Sequence, residues 1–134
     1  MLLAHVGAAQ TSDGWKILEA VELKSKWNEA HTYQIDYPVF QDKLKERDQT
    51  EIVLTGYVLP LETKTASTKF VFSKYPFNQC YFCGGAGPET IIEVNSTKAI
   101  SYSEDKVVIK GTLQLNETDP EHHMYVLNAA ALVK

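Results

Sequence analysis

The stretch that decides the fold is Val107-Val108-Ile109-Lys110-Gly111-Thr112-Leu113-Gln114-Leu115. Its side chains alternate with a period of two, which is typical of a half-buried β-strand. One face carries Val107, Ile109, Gly111, Leu113 and Leu115, and the other carries Val108, Lys110, Thr112 and Gln114. The stretch therefore predicts a strand with one face in a core and the other face turned outward.

A second stretch, Ile52-Val53-Leu54-Thr55-Gly56-Tyr57-Val58-Leu59, resembles the first and also has a glycine in its middle. Glycine weakens a strand interior, so it is typical of a place where the strand bends sharply or another backbone comes close. The strongly coiled strands of small barrels need such a bend, because closure removes the exposed edges of the sheet. We predict structural roles for Gly56 and Gly111.

Five strands are predicted along the C-terminal two thirds of the chain, and they cover residues 51–61, 69–75, 90–94, 106–115 and 124–133. A short surface helix is predicted over residues 38–48 with Pro38 in its first turn, whereas residues 15–27 fit neither helix nor strand. The fold class predicted is mainly β: a five-stranded OB-like barrel, closed or partly open, with a short N-terminal helix. A five-stranded open sheet with glycines at bulges is the alternative.

The length and net charge of the chain limit the number of domains and the kinds of partner that it can have. A chain of 134 residues fits one domain, placed at residues 14–134, and its net charge of −4 makes nucleic acid an unlikely partner. No apolar run approaches the roughly 18 residues that a membrane-spanning helix needs. Residues 1–13 begin apolar and end in small and polar residues, which predicts a signal-peptide remnant or a disordered N-terminus. The first of these implies an exported protein, periplasmic or associated with the cell envelope.

Two motifs support a resemblance to a known family. They are Gly56-Tyr57-Val58-Leu59-Pro60-Leu61-Glu62 and Cys80-Tyr81-Phe82-Cys83-Gly84-Gly85-Ala86-Gly87-Pro88-Glu89. In the forms G-Y-x-L-P-L-E and C-x-F-C-G-x-x-G-P-E, over about residues 35–133, the chain resembles a family of small exported bacterial proteins known as a domain of unknown function. The resemblance implies an OB-like barrel and export to the bacterial envelope, and it implies no assigned activity.

The two cysteines have three interpretations. Cys80 and Cys83 lie in a loop whose Gly84, Gly85, Gly87 and Pro88 predict an irregular backbone with a structural role. As a disulfide or as buried thiols the pair would anchor the loop; as a dithiol it would carry redox chemistry; and with His122 or His123 it would bind zinc or another transition metal. The loops after the second and fourth strands fall at the same end of an alternating barrel, so these residues are expected to come close. No cofactor is expected outside the metal interpretation, and covalent haem is excluded on this motif because glycine follows Cys83.

Five aromatic residues are candidates for a binding surface: Tyr57, Tyr75, Phe77, Tyr81 and Phe82. Exposed aromatic side chains beside glycines provide large contact areas for a partner. The first function hypothesis is therefore a non-enzymatic binding or assembly module of the cell envelope that uses the loop at residues 75–89 to hold an unknown protein, peptide or glycan. The second is a thiol-redox or metal-binding protein that uses Cys80 and Cys83.

Overall fold

The structure is a computed structural model, which describes residues 14–30, 32–61, 65–119 and 121–133. The predicted N-terminal segment 1–13 lies outside the described residues. Within them, two short helices and seven strands follow one another along the chain. The helices are α1 (Trp15–Leu18) and α2 (Asp42–Lys45), and the strands are β1 (Val21–Asn28), β2 (Tyr33–Phe40), β3 (Glu51–Val58), β4 (Ala66–Ser73), β5 (Ile91–Ser101), β6 (Val107–Leu115) and β7 (Tyr125–Leu132).

The last five strands form a closed barrel in the order β3-β4-β5-β7-β6. β5 and β7 run parallel, and every other pair in the barrel is antiparallel. The prediction of a mainly β, five-stranded barrel is confirmed, and the open sheet is excluded. All five predicted strands are present, but β4 begins earlier and β5 extends further than the sequence pattern indicated.

Both mid-strand glycines lie where a strand changes its pairing. β3 pairs with β6 as far as Gly56, and from Tyr57 onward it pairs with β4. A Cβ atom on Gly56 would lie 2.1 Å from the carbonyl oxygen of Ser73, so the backbones of β3 and β4 meet there too closely for any side chain. Gly111 lies at a register shift between β6 and β7. One strand can thus belong to both sides of the closed sheet.

The region before the barrel differs from the prediction. Residues 15–27 contain α1 and most of β1, which pairs with β2 in a separate two-stranded sheet. Pro38 does not begin a helix: it lies in β2 opposite Leu23, and the helix is the shorter α2. Proline fits the extended backbone of a strand with one unpaired side, and the buried Phe40 fixes the end of β2 against the core. No helix within the described ranges is long and apolar enough to cross a membrane.

Helix α1 packs against the core of the barrel. The ring of Trp15 stacks on Phe72 with centroids 6.3 Å apart, and its indole N–H donates to the carbonyl of Thr55 at 2.9 Å. The buried Tyr125 hydroxyl donates to the carbonyl of Leu18, and its desolvation raises the pKa of Tyr125 far above the usual range. Both contacts join the N-terminal helix to barrel strands, so α1 belongs to the same hydrophobic core.

Candidate functional site

The loop between β4 and β5 is built from three turns of 3₁₀-helix at Phe77–Gln79, Tyr81–Cys83 and Pro88–Thr90. The carbonyl of Cys80 accepts the backbone N–H groups of both Cys83 and Gly85, each at 3.1 Å. Gly84 has φ +79°, the left-handed conformation that glycine adopts without strain. Gly87 and Pro88 lead into the third turn. The glycines therefore lie in turns that are closed by backbone hydrogen bonds.

The two cysteines lie in different environments. Cys80 is fully buried and Cys83 is exposed, and both are free thiols in this structure. The Cys83 thiol donates to the carbonyl of Phe77 at 3.2 Å. Desolvation, followed by the proximity of Cys80, raises the pKa of Cys83. A raised pKa keeps a thiol protonated at neutral pH, whereas redox catalysis depends on the thiolate.

The described contacts of the two histidines are with side chains other than the cysteines. The ring of His123 meets Phe82 edge-on with centroids 6.1 Å apart, so the loops after β4 and β6 do come together, as the strand directions predict. His122 instead contacts Glu93 on β5. Among the side chains of the described ranges, no group of three or more His, Cys, Asp or Glu residues is arranged to hold a metal ion. The described cysteines and histidines thus do not assemble the metal site of the third interpretation.

The predicted aromatic residues surround the barrel end in separate groups. Phe77 and Tyr57 line a depression of about 320 Å³ together with Tyr102, which the sequence analysis missed. Tyr81 and Phe82 form an edge-to-face pair beside His123. The remaining one, Tyr75, borders another depression, and its ring carries the ammonium group of Lys74 5.5 Å from its centroid. Phe77, Tyr81 and Phe82 are each 40–45% exposed.

A polar depression of about 190 Å³ lies beside the segment that carries Asn116, Asp119 and His122. Its lining consists of Glu93, Asn95, Gln114, Asn116, Asp119, His122 and Val126. Glu93 Oε2 lies 2.7 Å from His122 Nδ1, and Glu93 Oε1 accepts the backbone N–H of His123 at 3.1 Å. One carboxylate on β5 thus holds two successive residues of the loop at residues 116–124.

Asn116 organises that loop from within. Its amide nitrogen donates to the carbonyls of Asp119, His122 and His123 at 2.9–3.2 Å, and its side-chain oxygen accepts the N–H of Asp119. The sequence analysis identified neither Glu93 nor Asn116. In the sequence, Glu93 looks like any solvent-exposed polar residue of an alternating strand. Asn116 follows a strand, where asparagine is common in ordinary turns, so neither residue stands out.

The ion pair between His122 and Glu93 predicts that the His122 ring titrates at a higher pH than an ordinary histidine. The hydrogen bond that the His122 ring donates to Glu93, and then the negative charge of Glu93, raise the pKa of His122. This contact therefore stabilises the fold while His122 is protonated and is lost as the pH rises through the raised pKa. We expect Glu93→Gln to move the NMR titration midpoint of the His122 ring back toward the usual value of about 6.5. Glu51→Gln, on another strand, is the control and leaves the midpoint in place. An unchanged midpoint in Glu93→Gln would contradict the contact.

Comparison with known proteins supports the barrel fold. No family model and no curated protein matches this chain. Among solved structures, the crystal structure of a DUF3299 family protein from Pseudomonas aeruginosa PAO1 is similar, with a TM-score of 0.51 and 20% identity over 72% of this chain and 68% of that chain. At this identity the similarity concerns the fold alone. That protein belongs to a family named as a domain of unknown function, so the comparison assigns no activity.

Proposed function

We propose that this protein is a non-enzymatic binding module of the cell envelope, which holds a peptide or glycan partner against the loop between β4 and β5. The observation that carries the proposal is the exposure of Phe77, Tyr81 and Phe82 within six consecutive residues. Soluble domains bury most large aromatic side chains, and aromatic residues are enriched at the centres of interfaces. Export remains part of the proposal and depends on the apolar N-terminal sequence.

The backbone of this loop supports the proposal because it is held in place before any partner binds. Cys80 is buried beneath the loop, and its carbonyl closes the turn that presents Tyr81 and Phe82. A Cβ atom on Gly85 would lie 2.6 Å from the carbonyl oxygen of Gln79, so the chain is tightly folded on itself. A preorganised surface loses little conformational entropy on binding, which favours affinity. In this proposal the cysteines anchor the loop rather than carry out chemistry.

The test uses unbiased ligand selection. A peptide display library and an array of bacterial glycans are screened with the wild-type protein, and each selected ligand is then measured against the triple variant Phe77→Ser, Tyr81→Ser, Phe82→Ser. We expect affinity to fall by at least about tenfold, because truncating a single central aromatic residue at an interface often has that effect.

A matched control is Trp27→Ser, which removes an aromatic side chain of 54% exposure from β1, outside the barrel. It should bind the selected ligand as the wild type does, and the triple variant should keep its thermal unfolding midpoint within a few degrees. A ligand that binds the triple variant undiminished, or a screen that selects no ligand, would contradict the proposal.

A further inference from the structure

We propose that the polar depression between β5, β6, β7 and the loop at residues 116–124 is a subsite for the hydroxyl groups of a neutral saccharide. This inference rests on the binding function proposed above and assigns its ligand class. It places the specificity of the module in the barrel wall, at residues outside the aromatic loop.

Three amide side chains form a row across the outer wall of the barrel. Asn95 on β5 donates to Asn128 on β7 at 2.9 Å, and Asn128 donates to Gln114 on β6 at 2.7 Å. Each strand alternates here, so the neighbouring Val94 and Leu127 point into the core while the amides point outward. The row orients the two end amides before any ligand arrives.

The ends of the row retain hydrogen-bonding capacity of both kinds. No described group bonds to the Oδ1 atom of Asn95 or to the Nε2 group of Gln114, and both residues line the depression. One end therefore offers an acceptor and the other offers donors. A sugar hydroxyl both donates and accepts, so adjacent hydroxyl groups of one ring match this pair.

The charge in the depression argues for a neutral ligand over a cation. The Glu93 carboxylate is already engaged by His122 at 2.7 Å and by the backbone N–H of His123. Asp119 accepts the N–H of Glu121 through one oxygen. A cationic side chain would have to compete with His122 for the most enclosed carboxylate, whereas hydroxyl groups need only the amide ends.

The size of the depression and its surroundings fit a single ring. Its volume of about 190 Å³ is below the roughly 300–1,000 Å³ of pockets for larger ligands. Val126 provides an apolar contact in the lining, and Phe82 lies beyond the ring of His123.

The experiment is an NMR titration of the isotope-labelled protein with two neutral trisaccharides, N,N′,N″-triacetylchitotriose and maltotriose, and with trilysine. We expect at least one trisaccharide to shift the side-chain amide signals of Asn95 and Gln114, with an affinity that is unchanged between 50 and 500 mM salt. Gln114→Ala should weaken this binding about tenfold or more. Lys110→Ala, an exposed position on the same strand, is the control and should have no effect.

Two results would overturn the assignment: shifts at these amides by trilysine alone, weakened by salt, or no binding by either trisaccharide. The proposed binding function of the aromatic loop can be tested separately from the saccharide subsite. If a ligand selected by the library screen loses affinity in the aromatic triple variant but binds Gln114→Ala normally, the binding function stands and only the saccharide subsite is wrong. If Gln114→Ala weakens trisaccharide binding while the aromatic variant does not, the subsite stands and the proposed role of the loop is wrong.

Discussion

Replacing Gly56 with alanine is expected to destabilise the protein by more than about 3 kcal/mol, beyond the usual cost of an overpacked site. The added Cβ atom would lie 2.1 Å from the Ser73 carbonyl oxygen and 3.1 Å from the Phe72 ring. The first of these is a backbone atom of β4, which cannot turn aside as a flexible side chain does. The strands would have to separate at the point where β3 passes from β6 to β4. Urea denaturation followed by circular dichroism measures the loss.

Two other glycines provide graded comparisons for this prediction. A Cβ atom on Gly111 would lie 2.8 Å from the Asn128 carbonyl oxygen, so Gly111→Ala should destabilise the barrel less than Gly56→Ala. Gly84 has open space around it but a φ of +79°, so Gly84→Ala should cost about 1–2 kcal/mol. The expected order of destabilisation is Gly56, Gly111, Gly84. If Gly56→Ala were as stable as Gly84→Ala, the close approach of β3 and β4 would be wrong.

The barrel could be predicted from the sequence because apolar and polar side chains alternate along its strands. Glycine within a strand also indicates a bend or a close approach of another backbone. Five strands follow from local patterns, and so do the two glycines, one where β3 passes from β6 to β4 and one at the register shift between β6 and β7. The first half of β4 could not be predicted in this way. Its Ala66, Ser67 and Thr68 carry no strand signal, and the segment forms a strand because Ala66 and Ser67 pair with β5.

The hairpin of β1 and β2 was missed for a different reason. Most of its side chains are exposed on both faces, including Leu23 and Trp27, so no contrast between a core face and a solvent face marks it. Its eight pairs run from Val21 opposite Phe40 to Asn28 opposite Tyr33, and only the end with the buried Phe40 reaches the core. Pro38 then indicated a helix start, although proline is equally suited to a strand with an unpaired side.

In the candidate site, too, residues close together in the sequence could be predicted, whereas residues brought together only by the fold could not. The cysteines and aromatic residues of the loop at residues 75–89 stand out as a local composition. The contact of Glu93 with His122 joins residues 29 positions apart, and the row from Asn95 through Asn128 to Gln114 joins three strands. These groups meet only because β5, β7 and β6 are neighbours in the closed sheet. Sequence patterns therefore located the loop but could not reveal the polar wall beside it.

Replacement of Trp15 with alanine is expected to cost about 3–5 kcal/mol, the range for removing a large aromatic side chain from a core. The side chain is 2% exposed, it stacks on Phe72, and it donates a hydrogen bond to the carbonyl of Thr55. Its removal leaves a cavity against the core of the barrel and takes the indole donor from the partly buried carbonyl of Thr55. Because small domains have about 5–15 kcal/mol of stability in all, the variant should lose a large share of it. Urea denaturation of the purified variant measures the loss.

The second tryptophan of the chain is the natural control. Trp27 is 54% exposed on β1, so Trp27→Ala should change the free energy of unfolding by about 0.5 kcal/mol or less. Trp15→Phe separates the two contributions of Trp15, because phenylalanine can keep the stacking on Phe72 but not the hydrogen bond to Thr55. It should recover part of the loss, and the remainder, about 1–3 kcal/mol, is the cost of leaving the Thr55 carbonyl without its donor. Equal losses in Trp15→Ala and Trp27→Ala would mean that α1 does not pack on the barrel, and that the folded core begins at β3.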